Sequence, residues 1–108
     1  MELALDGREY ARWTVTAQHD LSEAEVPQVQ IKGPDDLVFG DWTNLIWLSE
    51  QVVKEPGKKW QRVAALLVRG PDITGSGLEL AAGEHLTRCR VNDNPETVVR
   101  DTDSITVG

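Results

Sequence analysis

With one cysteine, Cys89, and two histidines, His19 and His85, the 108-residue chain is short of the side chains that carry most metal, redox and nucleophilic chemistry. A lone thiol closes no intrachain disulfide and cannot supply a zinc site of several thiolates, so packing alone must hold the fold. A single reduced cysteine fits folding in a reducing cytoplasm. Long hydrophobic runs are missing as well. The longest, Val63 to Val68, is six residues, far short of the roughly 20 needed to span a bilayer as a helix. The start at Met1-Glu2-Leu3 lacks the basic region and apolar stretch of a signal peptide, so neither membrane segment nor export signal is expected. There is no phosphate-cradling glycine loop, no pair of metal-spaced histidines and no Cys-x-x-Cys, and no cofactor is expected.

What is present is ordinary for one globular domain spanning residues 1–108. A hydrophobic fraction of 40% and a charged fraction of 27% are typical of folded chains. The length allows roughly two thirds of the unfolded surface to be buried, enough for one core. No internal repeat, low-complexity segment or linker divides it. The net charge of -7 argues against nucleic acid as a partner, because phosphate binding relies on a positive surface. The charge is uneven. Between Lys54 and Arg69 five bases (Lys54, Lys58, Lys59, Arg62, Arg69) face one acid, Glu55, a local balance of +4 that leaves -11 for the remainder. The simple reading of such a stretch is a solvated hairpin. The functional reading is a basic lobe that docks on an acidic neighbour, another copy included.

Two-residue periodicity dominates. Ala11, Trp13, Val15 and Ala17 alternate with Arg12, Thr14 and Thr16, the pattern of a half-buried strand. Before it, Leu3 and Leu5 predict a short strand closed by Asp6-Gly7, a dipeptide suited to a tight hairpin turn. Val29 and Ile31 alternate up to the break at Gly33-Pro34-Asp35-Asp36. Leu37 to Glu50 reads as strand, with one or two helical turns as the other reading. Lys59 to Val68, between Pro56-Gly57 and Gly70-Pro71-Asp72, predicts a strand buried on both faces. Leu78 and Leu80 alternate, Gly83-Glu84 turns, and His85, Thr87, Cys89 and Val91 form another inward row. Val98-Val99 and Ile105-Val107 predict two closing strands separated by Asp101-Thr102-Asp103. Seven or eight short strands, with turn signals about every 8 to 12 residues, predict an all-β antiparallel immunoglobulin-like β-sandwich.

The reactive side chains fit structural places in such a sandwich. Catalysis by an activated nucleophile requires a nucleophile, a base and a group that orients the base. Cys89 has the inward parity of Val91, where a thiol serves as a small hydrophobe. His85, near the turn at Gly83, occupies a position where sandwiches place a ring whose polar edge ties down a corner. His19 lies in a polar loop. No catalytic residue is assigned and the chain reads as no enzyme. Asn92-Asp93-Asn94 and Asp101-Thr102-Asp103 offer oxygen ligands of the kind calcium takes, but a further Asp of the cadherin-type pattern is replaced by Arg90. Turn chemistry explains these residues, and no metal site is assigned. Of four tryptophans, Trp13 is inward, whereas Trp42 after Gly40 and Trp60 beside Lys58-Lys59 are expected to reach a surface. Exposed tryptophan marks an interface with protein or carbohydrate. The candidate interface is therefore Trp42, Lys54, Lys58, Lys59, Trp60 and Arg62.

Leu80-Ala81-Ala82-Gly83-Glu84-His85, followed by Cys89 to Arg100 with the loop Val91-Asn92-Asp93-Asn94-Pro95-Glu96, resembles small virion proteins of tailed phages infecting actinobacteria. Asp6-Gly7-Arg8-Glu9-Tyr10 fits the same pattern, His85 departs from its usual aromatic, and residues 37–59 have no counterpart in it. The resemblance implies an immunoglobulin-like structural component of the particle, assembled in the host cytoplasm and located in the virion. It would act as capsid decoration or minor head protein, or else as a head-to-tail connector. Its partners would be the major capsid protein or neighbouring virion proteins, with self-association in a symmetric assembly. A carbohydrate- or receptor-binding sandwich is the competing expectation.

Overall fold

The computed structural model describes residues 1–54, 59–93 and 96–108. Among these residues the regular structure is all strand: β1 (Glu2–Leu3), β2 (Arg8–Ala17), β3 (Gln28–Lys32), β4 (Thr43–Asn44), β5 (Ile46–Trp47), β6 (Val52–Lys54), β7 (Lys59–Arg69), β8 (Leu78–Glu79), β9 (Gly83–Asp93) and β10 (Glu96–Val107). Four of them carry the architecture. One sheet runs β1-β10-β9-β3-β4, and the other has β2 on one side of β7 with β5, β6 and β8 on its far side. The inner faces pack into one core that includes Leu3, Trp13, Val29, Leu45, Ala64, Val68, Leu80, Cys89 and Ile105. The result is sandwich-like. It is not purely antiparallel, because β1 pairs with β10, and β8 with β7, in parallel.

The alternating segments form strands for the expected reason. On β2, Ala11, Trp13 and Val15 are buried between exposed Arg12, Thr14 and Thr16. On β9, His85, Thr87 and Cys89 point inward. Burying such a row on one pleated face while the other stays wet is the most favourable use of period-two patterning. Along β7, Ala64 and Val68 are buried on the inner face and Ala65 on the outer one. Val63 and Leu67 are half-covered, so the outer face is less enclosed than a doubly buried strand requires.

Three sequence expectations are corrected. The turn at Asp6-Gly7 exists, with the Gly7 amide donating to the Ala4 carbonyl at 2.9 Å. It does not close a hairpin, because β1 pairs with Thr106 and Val107 of β10 while β2 pairs with β7. The chain changes sheet there. Leu37 to Glu50 is neither one strand nor a helix: β4 adds to β3, β5 adds to β7, and Leu45 between them is 2% exposed. A side chain at a sheet-switch point faces the core from the corner. Finally, the closing segment is one twelve-residue strand, not two, with a bulge between Thr102 and Ile105. Thr102 pairs with Thr87 but Ile105 pairs with His85, so one extra residue on β10 reverses which parity points inward.

A file of hydrogen bonds seats that bulge. The Trp13 indole N–H donates to Thr102 Oγ1 at 3.0 Å, the Thr87 and Thr102 hydroxyls bond at 2.6 Å, and the Thr87 hydroxyl donates to the Asp103 carbonyl at 2.6 Å. The file links one sheet to the other through the core. At the opposite end of β9, His85 Nε2 lies 2.8 Å from the Ala81 carbonyl. A carbonyl only accepts, so Nε2 carries the hydrogen and the ring pins the corner at Ala81. Gly83 beside it has φ of +119°, and a Cβ there would lie 2.8 Å from Pro34 Cγ. Glycine fits both demands.

Candidate interaction site

The β6–β7 hairpin brings Lys54 and Lys59 together at one end of β7, whereas Arg69, at the other end of the strand, donates to the Ile73 carbonyl at 2.6 Å and to Glu79 at 3.0 Å. The hairpin register sets Val52 opposite Gln61, Val53 opposite Trp60 and Lys54 opposite Lys59. Like charges directly opposite on a ladder cost about 0.2–1 kcal/mol, so a lysine pair at that position weakens the hairpin that carries it. Lys59 is exposed, and Val52 and Val53 are exposed beside it. Lys58 and the Pro56-Gly57 pair lie outside the described residues. Exposed Lys59 thus stands next to uncovered aliphatic surface, the pairing of charge and apolar contact that protein interfaces use.

Arg62 has different employment. It shares the inner parity of Ala64, and its guanidinium lies 4.6 Å from the Trp47 ring centroid. Nε donates to the Ser49 carbonyl at 3.0 Å, and Nη1 donates to the carbonyls of Leu21 and Ser22 at 3.0 and 3.3 Å. One cation therefore ties the 19–24 loop to the 47–50 loop and caps that end of the sandwich. The same loops are bound again by Gln51, whose Oε1 accepts from the Leu21 amide at 2.6 Å and whose Nε2 donates to Asp20 Oδ1 at 2.8 Å. The Asp20 carboxyl is held below the usual range by hydrogen bonds from the Ser22 hydroxyl and amide and from Gln51.

The four indoles do not share a face. Trp13 and Trp47 lie on the inner face of the second sheet, Trp47 donating to the Ala24 carbonyl at 3.1 Å, and half-buried Trp60 has the same inner parity. Trp42 lies on the outer side of the first sheet, under Arg90, with 4.2 Å between guanidinium carbon and ring centroid. Arg88 covers Phe39 in the same way at 4.2 Å. Arginine thus stacks on Trp42, Trp47 and Phe39, so Trp42 and Arg62 belong to internal contacts, apart from the hairpin lysines.

Cys89 is buried in the core, and burial pushes its thiol up, which favours the inert protonated form. Asn92 and Asp93 lie within β9, Asp101 is paired with Arg88 at 3.2 Å, and Asn94 and Pro95 lie outside the described residues. Among the described residues no group of three or more His, Cys, Asp or Glu could hold a metal ion. Among the described residues no helix is long and apolar enough to cross a membrane.

Two features escaped sequence reasoning. Leu37 and Val38, 92% and 75% exposed, stand on the loop after Pro34-Asp35-Asp36. An adjacent apolar pair directly after a turn was the available signal. The second is a cleft of about 680 Å³ between β2 and β10, opening where the two sheets part. No sequence signal marks it, because it is defined by what two distant strands leave unpaired. The chain matches no protein-family model, no curated protein and no solved structure with which it was compared.

Proposed function

We propose that this chain is a non-enzymatic structural protein of a tailed-phage particle, a capsid decoration or minor head protein with an immunoglobulin-like fold. It docks on the major capsid protein or a neighbouring virion protein through the β6–β7 hairpin and repeats symmetrically with the shell, having assembled in the host cytoplasm. The head-to-tail connector is the variant reading within the same class. The observation that carries the proposal is the register of the hairpin: Lys54 directly opposite Lys59, with Val52 and Val53 uncovered beside them. A like-charge pair that costs stability is retained where an acidic partner surface offsets it. The motif that resembles virion proteins falls largely on β9 and β10, apart from β6 and β7. A sugar-binding reading calls for coplanar exposed indoles, whereas Trp13, Trp47 and Trp60 have the inner parity of the second sheet and Trp42 lies under Arg90 on the other sheet.

The test is charge reversal that spares Arg62. K54E/K58E/K59E removes the basic lobe without touching the loops that Arg62 ties together. The variant is expected to fold with an unchanged amide spectrum and to be absent from particles. Incorporation at the wild-type level would overturn the proposal.

A further inference from the structure

β2 is bonded to β7 along all ten of its residues, from Arg8 opposite Arg69 to Ala17 opposite Trp60, and among the described residues to no strand on its other edge. β10 is bonded to β9, and its other edge is covered by β1 at Thr106 and Val107 and by the Met1 ammonium at the Ser104 carbonyl. The two open edges face each other across the cleft between the sheets. Trp13, Val15, Cys89, Val91 and Ile105 line its apolar floor, and its volume of about 680 Å³ falls within the span of ligand clefts, roughly 300–1,000 Å³. The turn between β1 and β2 crosses from one sheet to the other.

The charged groups that line this space are Arg12, Arg100, Asp103 and the Met1 ammonium, and the ammonium donates to the Ser104 carbonyl at 2.9 Å. Arg100 pairs in register with Cys89, whose side chain is in the core, so Arg100 has inner-face parity although it is exposed. Among the described residues it makes no hydrogen bond or ion pair, and Arg12 on the rim makes none either. In a chain of net charge -7, two unpaired guanidinium groups flank one apolar trough.

We propose that this cleft accepts an extended segment of a partner protein as an added strand, one whose inward row is apolar except for a carboxylate that reaches Arg100. Backbone bonding to the open edge of β2 or β10 supplies affinity, the floor takes the alternate side chains, and Arg100 sets register and sign. This surface is separate from the lysine hairpin, and the inference does not rest on the particle reading. An inward charge on an edge strand is also a device against unwanted pairing, and the experiment separates the two roles.

The probes are two capped nine-residue peptides, Thr-Val-Thr-Val-Thr-Glu-Thr-Val-Thr and the same peptide with Lys in place of Glu. They are titrated into the full chain by calorimetry, with hydrogen exchange read at the amides of β2 and β10. The Glu peptide is expected to bind at least tenfold tighter than the Lys peptide and to slow exchange along one open edge. R100E, checked for an unchanged amide spectrum, is expected to reverse the preference. Equal binding of both peptides, or no protection of either edge, would overturn the proposal. So would R100A that tightens both peptides, the signature of a guard residue, or a dimer of the chain that protects the same amides without peptide.

Discussion

Replacing Thr87 with valine preserves the shape of a buried side chain and removes one hydroxyl from the middle of the file that seats the β10 bulge. That hydroxyl donates to the Asp103 carbonyl at 2.6 Å and bonds the Thr102 hydroxyl at 2.6 Å, and Thr87 is 2% exposed. No cavity opens, so the cost is that of polar groups. Two lost bonds at about 1 kcal/mol each, with the Thr102 hydroxyl and the part-buried Asp103 carbonyl each left a partner short, give about 2–3 kcal/mol. For a domain of this size 1 kcal/mol moves the midpoint by about 4–8 °C, so Tm should fall by about 10–20 °C. Urea unfolding of Thr87→Val should lower the midpoint with the slope unchanged, since the surface exposed on unfolding is the same. Thr102→Val removes part of the same file, so the double variant should cost less than the sum of the singles. A shift below about 3 °C, or strict additivity, would refute the claim that the file carries this stability.

Other perturbations probe other parts of the account. Gly70→Ala drives a Cβ into the Leu5 carbonyl oxygen and places it 2.6 Å from that of Ala4, so the sheet-switching turn must shift; a loss of about 1–3 kcal/mol is expected in chemical unfolding. Arg62→Met keeps apolar bulk over Trp47 but abandons three carbonyls, and should cost about 1–3 kcal/mol and raise hydrogen exchange at residues 21–24. Cys89 should react with a water-soluble disulfide reagent far more slowly in the folded chain than in urea. Because its folded value is raised, its share of stability is present below the unfolded thiol value near about 8.5 and is lost as pH rises above it. The Asp20 carboxyl should titrate below an ordinary aspartate by NMR, and its contribution is present at neutral pH and lost on acidification.

The parts of the fold legible in the sequence are those where local pattern and tertiary role coincide. β2 and β9 each carry one unbroken inward row, so period-two reasoning located them and assigned Trp13 and Cys89 to the core. β10 was read as two strands because its bulge switches the inward row from even-numbered Arg100 and Thr102 to odd-numbered Ile105 and Val107. A parity change looks like a break when only one strand is in view. Asp6-Gly7 signalled a turn correctly, but no dipeptide states which sheet the next strand joins. Leu45 was hidden for a related reason: two-residue strands on either side of it belong to different sheets, and their side chains follow neither period.

The candidate site divides in the same way. Charge counting found the hairpin lysines, since clustering is a property of the sequence. It also gathered in Arg62, whose inner parity and three carbonyl partners make it a tie between loops; an arginine on a charged stretch looks the same from the sequence whether it faces water or carbonyls. Trp42 was expected at a surface, and it lies half-buried beneath Arg90.

The central claim, that the molecule is a docking component of a phage shell, is tested most directly by quantitative mass spectrometry of purified particles. The account predicts this chain at a fixed copy ratio to the major capsid protein in wild-type particles, and its loss in K54E/K58E/K59E particles. A chain absent from wild-type particles, or present at the same ratio in both, would contradict it.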